Sequence, residues 1–153
     1  MEHGLVVVED TDEHRDLLQE AAANAAGTNG ELLLLALVDE AEYEDEVDTL
    51  DSIGNIENVS YSEGTILEAA EQDVTDLATE VISDDFNVEW EVLVSVVDED
   101  ERARAVVRAG AENDCDHAYI LGRHRSPTGK AIFGDFAQRV ILNFDGYVTV
   151  STE

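Results

Sequence analysis

Positive charge is scarce in this chain. Among 153 residues, Lys and Arg number eight against 37 Asp and Glu, a formal net charge of −29. A surface of that sign repels phosphate backbones and argues against a nucleic-acid partner. Cysteine is nearly absent as well. Cys115 is the single one, which excludes an internal disulfide and a cysteine-based metal cluster. Cys115 and His117 form half of a metal set that no second Cys or nearby His completes, so no metal is expected. Long apolar runs are missing too: the longest, Leu32 to Val38, falls far short of the ~20 residues that cross a bilayer. The opening Met-Glu-His-Gly-Leu-Val has neither the basic nor the apolar region of a secretion signal. The expectation is a soluble cytoplasmic protein with no membrane partner.

Apolar residues, by contrast, are plentiful. They make up 44% of the chain and fall in regular blocks, which separates it from disordered acidic chains. Residues 1–153 are read as a single domain, long enough to bury a full core. The charge is read as an adaptation to very high salt, because self-repulsion of this size needs dense counter-ions. One lysine against seven arginines agrees with that reading.

Strands and helices alternate along the chain. Gly4 to Val8 reads as a buried strand, and Thr11 or Asp12 caps a helix that Gly27 and Asn29-Gly30 end. Leu32 to Val38 is apolar on both faces and belongs at the centre of a sheet. Asp39 to Glu63 holds ten acids, no Lys or Arg and no regular period, and reads as an irregular loop. Asp45-Glu-Val-Asp-Thr-Leu lacks the glycine that a calcium loop needs at its sixth position. Helical spacing returns from Ile66 to Ile82, a strand from Val88 to Val97, a helix from Arg102 to Ala111, and a strand from His117 to Leu121. A helix from Asp135 to Asn143 and a short strand from Tyr147 to Ser151 close the chain. Trp90 reads as a packing residue. This order predicts an α/β fold with a parallel sheet covered by helices on both faces. Ligands of such sheets sit beyond the carboxyl ends of the strands, where strand order reverses.

The stretch Gly122-Arg-His-Arg-Ser-Pro-Thr-Gly129-Lys-Ala-Ile-Phe-Gly134-Asp135 stands out. It carries Arg123, Arg125 and Lys130, and no acid lies between Asp116 and Asp135. A strand, a glycine-punctuated loop and a helix start can present backbone N–H groups to an anion. It is not a P-loop: six residues separate Gly122 from Gly129-Lys130, and Ala131 follows. No dinucleotide fingerprint follows the first strand either. A positive loop in so negative a molecule is an anion site or an internal counter-charge. No nucleophile accompanies His14 or His124 at a recognisable elbow, and paired acids are background in this composition.

The chain resembles the universal stress protein family over nearly its whole length. Val6-Val7-Val8 followed by Glu9-Asp10-Thr11 is similar to the family's opening strand and Asp-Gly-Ser. Leu34-Leu35-Ala36-Leu37-Val38-Asp39 is similar to its second strand. Gly122 and Gly134 fit the first and third glycines of the family's Gly-x2-Gly-x9-Gly-Ser/Thr signature. Phe136 to Asn143 and Tyr147-Val-Thr-Val resemble its closing helix and strand. Several positions depart from the pattern. Glu9 replaces Asp, Arg125 replaces the second glycine, eight residues instead of nine precede Gly134, Pro127 removes a donor, and Asp135 replaces Ser or Thr.

The resemblance implies a Rossmann-like three-layer sandwich with a five-stranded parallel sheet in the order 3-2-1-4-5. It implies a nucleotide site, with ATP and magnesium as ligand, at Glu9, Val38, Gly122, Arg123, Arg125, Ser126, Gly129, Lys130, Gly134 and Asp135. It also implies a homodimer through the last strand, Tyr147, Val148, Thr149, Val150 and Ser151, which has no lysine or proline to protect its edge. Activity would come from association and not from turnover, with slow ATP hydrolysis at most. Two readings of the site stand open. One is a dimeric interaction module whose nucleotide site is altered, Asp135 capping its own helix in the place of a phosphate. The other is a nucleotide sensor in which the basic loop replaces the glycine cradle.

Overall fold

The computed structural model describes residues 2–45, 48, 62–82, 86–122 and 134–152. Among these residues, the strands alternate with helices: β1 (His3–Val7), α1 (Asp12–Thr28), β2 (Glu31–Asp39), α2 (Ser62–Ile82), β3 (Glu89–Val97), α3 (Arg102–Glu112), β4 (His117–Leu121), α4 (Gly134–Asn143) and β5 (Tyr147–Ser151). The sheet is parallel throughout, in the order β3-β2-β1-β4-β5. The three-layer α/β sandwich expected from the sequence is the fold observed.

Alternation along the strands builds two cores. Leu5, Val7, Leu33, Leu35 and Ile120 point to the side covered by α3 and α4, where they meet Val106, Ala137, Val140 and Phe144. Val6, Leu32, Leu34 and Tyr119 point to the other side, against Leu18, Ala22 and Ala25 of α1 and Val74 and Ala78 of α2. Leu5, Val6, Leu34 and Leu35 are fully buried, each contributing about 1.5–3 kcal/mol of apolar transfer. This explains why β1 and β2 carry unbroken apolar runs: both of their faces are covered.

Element ends follow local chemistry. Thr11 is the N-cap of α1, its hydroxyl accepting from the His14 N–H at 3.1 Å, with Asp12 and Glu13 in the first turn. Gly27 lies inside the helix; Asn29 ends it at φ 59, and the Gly30 N–H returns to the Ala25 carbonyl. Asp116 ties the strand starts together. Its carboxylate accepts from the N–H groups of Glu2 and His3 at 3.1 and 3.2 Å, and its carbonyl accepts from Tyr147 N–H at 2.9 Å. Gly146, at φ 138, lies directly on the Asp116 backbone, where a side chain has no room.

The connection after β2 corrects the sequence reading at its start. Residues 40–45 are helical where an irregular loop was expected. Asp39 supplies the reason: its carboxylate accepts from the Ala41 N–H at 3.0 Å, and acids in the first turn suit the helix dipole. The remainder of the acidic segment, apart from residue 48, lies outside the described residues up to α2. Helix α2 starts at Ser62, four residues before the first apolar position read as helical.

Candidate functional site

The sheet's order reverses between β1, which leads to β2, and β4, which leads to β5. Beyond the carboxyl ends of these strands lies a cleft of about 310 Å³. Its walls are Leu121 and Gly122 at the end of β4, Gly134, Asp135, Phe136 and Arg139 from the start of α4, and Arg102 and Ala103 from the start of α3. Glu99 and Asp100, in a 3-10 turn before α3, form its acidic rim. This is the position at which doubly wound sheets hold ligands. A larger groove of about 570 Å³ runs along α3 and α4 past Arg104, Val107 and Asn143, and no strand end opens into it.

Each predicted residue has a definite place, where described. Gly122, Gly134 and Asp135 come together in the cleft although β4 and α4 are distinct elements. Gly134 opens α4 at φ 76, a conformation that favours glycine. The Gly122 N–H is already spent: it donates to the Ser151 carbonyl at 2.7 Å, continuing the β4–β5 ladder. Asp135 sits inside α4 and not at its N-cap. Its carboxylate takes Arg139 Nε at 3.1 Å, one turn along the helix, so the expected self-capping role becomes a first-turn ion pair. Val38, half-buried at the end of β2, does not line the cleft. Arg123, Arg125, Ser126, Gly129 and Lys130 lie outside the described residues.

Glu9 stands beside the cleft and reaches it through Arg102. One carboxylate oxygen is 3.6 Å from Arg102 Nη2, the other 3.4 Å from His14 Nε2. His14 is buried, its Nδ1 2.7 Å from the Thr11 hydroxyl. The facing carboxylate of Glu9 favours the tautomer with the proton on Nε2, in which Nδ1 accepts from the Thr11 hydroxyl while the Thr11 oxygen accepts from the His14 backbone. Burial lowers the His14 pKa below 6.5; Glu9 opposes this, Arg102 adds to it and Glu13 opposes it. Hydroxyl, imidazole and carboxylate thus stand in line, but Thr11 is committed as a helix cap. The row suits proton exchange better than nucleophilic attack.

Arg102, Phe136 and Arg139 were not foreseen from the sequence, and His14 was considered there only as a base without a nucleophile. The Arg102 guanidinium lies over the Phe136 ring, 5.6 Å from its centroid. Arg139 also donates through Nη1 to the Asp100 carbonyl at 3.2 Å, bracing α4 against the turn before α3. One signal for Arg102 did exist. A cation in the first turn of a helix opposes the dipole, and in a chain with eight basic residues such a placement needs a partner elsewhere.

Beyond the cleft, β5 forms one edge of the sheet. Tyr147 is 73% exposed, while Val148, Thr149, Val150 and Ser151 are half-buried. Leu142 at 72% and Ile141 at 44% lie at the adjoining end of α4; with Tyr147 they are the exposed large apolar residues among those described. His117 stacks on Tyr119 at 4.4 Å and bonds the Thr149 hydroxyl at 2.7 Å. Cys115 is buried, and burial, with Asp116 and Asp114 adding, pushes its thiol up to about 11, so it is not a reactive thiolate. No cluster of three or more metal-binding side chains occurs among the described residues. Nor is any helix of the described residues long and apolar enough to cross a membrane.

The profile of the Usp family, described as "Universal stress protein family", matches residues 1–151. A comparison with curated protein sequences gave no match. Among solved structures, a universal stress protein from Archaeoglobus fulgidus is 24% identical, with 98% of each chain covered and a TM-score of 0.62. A structure of the universal stress protein from Archaeoglobus fulgidus in complex with dAMP is 18% identical, covers 98% of this chain and 96% of that one, and has a TM-score of 0.62. A universal stress protein in complex with cAMP is 13% identical over 98% of this chain and 95% of that one, also at 0.62. Identities this low establish a common fold.

Proposed function

This chain belongs to the universal stress protein family, and from that premise we propose that it is a nucleotide-responsive stress protein that acts by association and not by turnover. The observation that carries the reading is the cleft at the sheet's reversal point, which unites Gly122 and Gly134 with two guanidinium groups. Its volume of about 310 Å³ lies at the small end of ligand pockets, the size for a mononucleotide. Fold neighbours crystallised with dAMP and cAMP agree with that size.

The site is altered from the family pattern. The Gly122 N–H serves the β4–β5 ladder, and Asp135 with Glu99 and Asp100 brings negative charge to the walls. Side-chain donors therefore replace a backbone cradle, and a monophosphate is preferred to ATP with magnesium. The basic residues Arg123, Arg125 and Lys130 extend this site in the proposal. The whole chain, 1–153, works as one cytoplasmic domain adapted to high salt, and two copies pair through β5. The exposed Tyr147 and Leu142 beside that open edge support the pairing.

A second reading rests on the same two observations. With the Gly122 N–H spent and an acid in the first turn of α4, the protein would be a dimeric interaction module without a ligand. Titration calorimetry with AMP and with ATP and magnesium, in molar potassium chloride, separates the two. Saturable heat, stronger for AMP, supports nucleotide sensing. No heat from protein whose circular dichroism shows it folded refutes it and leaves the second reading.

A further inference from the structure

We propose that Arg102 is a ligand-binding residue of the cleft, held in reserve by Glu9 and released to the phosphate of a bound mononucleotide. The inference rests on the nucleotide reading above and names the group that reads the anion. Nothing in the Gly122–Asp135 signature points to it, because Arg102 comes from a different helix.

The first support is placement. Arg102 begins α3, where the helix dipole disfavours a cation, yet its side chain turns into the cleft and is only 26% exposed. A cation that is largely out of water needs an anion, and the one it has is Glu9, 93 residues away in sequence.

The second is how loosely Glu9 holds it. At 3.6 Å this is the longest ion pair among the described residues, and it is too long for a hydrogen bond. Glu9 is also shared with His14 and is 42% exposed. Beneath the guanidinium lies the Phe136 ring, 5.6 Å from it to the centroid, a contact that uses none of its donors. Among the described residues, the Arg102 guanidinium makes no hydrogen bond; the backbone N–H alone donates, to the Glu99 carbonyl. A phosphate in the cleft offers it two parallel charge-assisted N–H···O contacts in exchange for one distant carboxylate.

The third is that the other guanidinium is not available. Arg139 is tied to Asp135 and to the Asp100 carbonyl and serves as a brace. The described part of the cleft therefore holds one exchangeable cation. Asp100, Glu99 and Asp135 around it limit how much negative charge it accepts, which selects a monophosphate over a triphosphate.

The test compares AMP with adenosine, which has the same base and sugar but no phosphate. Both are titrated calorimetrically into the wild-type chain, Arg102→Gln and Arg102→Lys in the same high-salt buffer, with thermal melts to show that each variant is folded. Losing a charge-assisted contact should weaken AMP about 10- to 100-fold in Arg102→Gln. Adenosine affinity should stay at the wild-type value in both variants. Arg102→Lys should recover part of the loss, because an ammonium keeps the charge but not the fork. Equal AMP affinity in Arg102→Gln and wild type overturns the inference alone. So does an equal loss for adenosine, which would mean that Arg102 only shapes the cleft. A wild-type chain that binds neither compound overturns the nucleotide reading and this inference with it.

Discussion

Two glycines in this fold should answer the same substitution with opposite signs. Gly27 lies in the last turn of α1, and a Cβ added there would meet nothing within 4 Å. Gly27→Ala should therefore only reduce the entropy of the unfolded chain and improve helix propensity, a gain of about 0.5–1 kcal/mol. Gly110 lies in α3 and is buried against Phe144, whose Cε2 would stand 2.5 Å from the new Cβ. The same propensity gain, about 1 kcal/mol, is offered there. Against it stands the displacement of an aromatic ring that is 8% exposed and wedged between α3 and Gly146. Overpacking of this kind costs roughly 1–3 kcal/mol, so Gly110→Ala should be destabilised by up to about 2 kcal/mol net. The two variants should differ by roughly 0.5–3 kcal/mol, or about 1–12 °C in melting temperature for a domain of this size. Circular-dichroism melts at one salt and protein concentration measure it. A Gly110→Ala chain that melts at or above Gly27→Ala would refute the packing argument.

Two further outcomes follow from single groups. Burial holds the His14 pKa below 6.5, so its contribution to stability is complete above pH 6.5 and is lost as pH falls through the folded-state value. Urea midpoints at pH 7.5 and 5.5 should fall further for the wild type than for His14→Gln; equal falls would mean that the buried imidazole is not the sensor. At the β5 edge, the double substitution Leu142→Asp, Tyr147→Asp places charge on residues 72% and 73% exposed, which the monomer tolerates. Under the proposed pairing, sedimentation should show a dimer for the wild type and a monomer for the double variant; a double variant that stays dimeric places the interface elsewhere.

The fold was legible because its signals are local. Unbroken apolar runs marked β1 and β2 as covered on both faces, and Leu32–Val38 is buried from Leu32 to Leu37, with Val38 half-buried at its end. Thr11 was a readable cap because its partner is three residues away. Asp39 was the same kind of signal, but it was hidden among acids whose positions carried no contrast. The site was legible only in part, for a related reason. Gly122, Gly134 and Asp135 lie on one continuous stretch, so sequence adjacency found them. Glu9 and Arg102 meet only because β1 is central and α3 precedes β4, a fact of topology. The spent N–H of Gly122 likewise depends on the register of β5, which no residue near Gly122 specifies.

In a chain with 37 acids, the rare cation is the informative residue. The five arginines among the described residues divide cleanly by their partners. Arg104, Arg108 and Arg139 each pair with an acid three or four residues away on or beside their own helix, contacts worth a few tenths of a kcal/mol when exposed. Arg15 bridges α1 to Glu80 of α2 and also takes Asp10, joining acids that are 69% and 82% exposed. Solvated pairs of that kind steady a surface and select nothing. Arg102 differs from all four: its contact is the longest, its side chain is the least exposed of the five, and an aromatic ring lies beneath it. If stability alone placed it there, a closer carboxylate or an apolar side chain on Phe136 would serve better. A poorly satisfied cation at the mouth of a cleft makes physical sense when something else is to satisfy it.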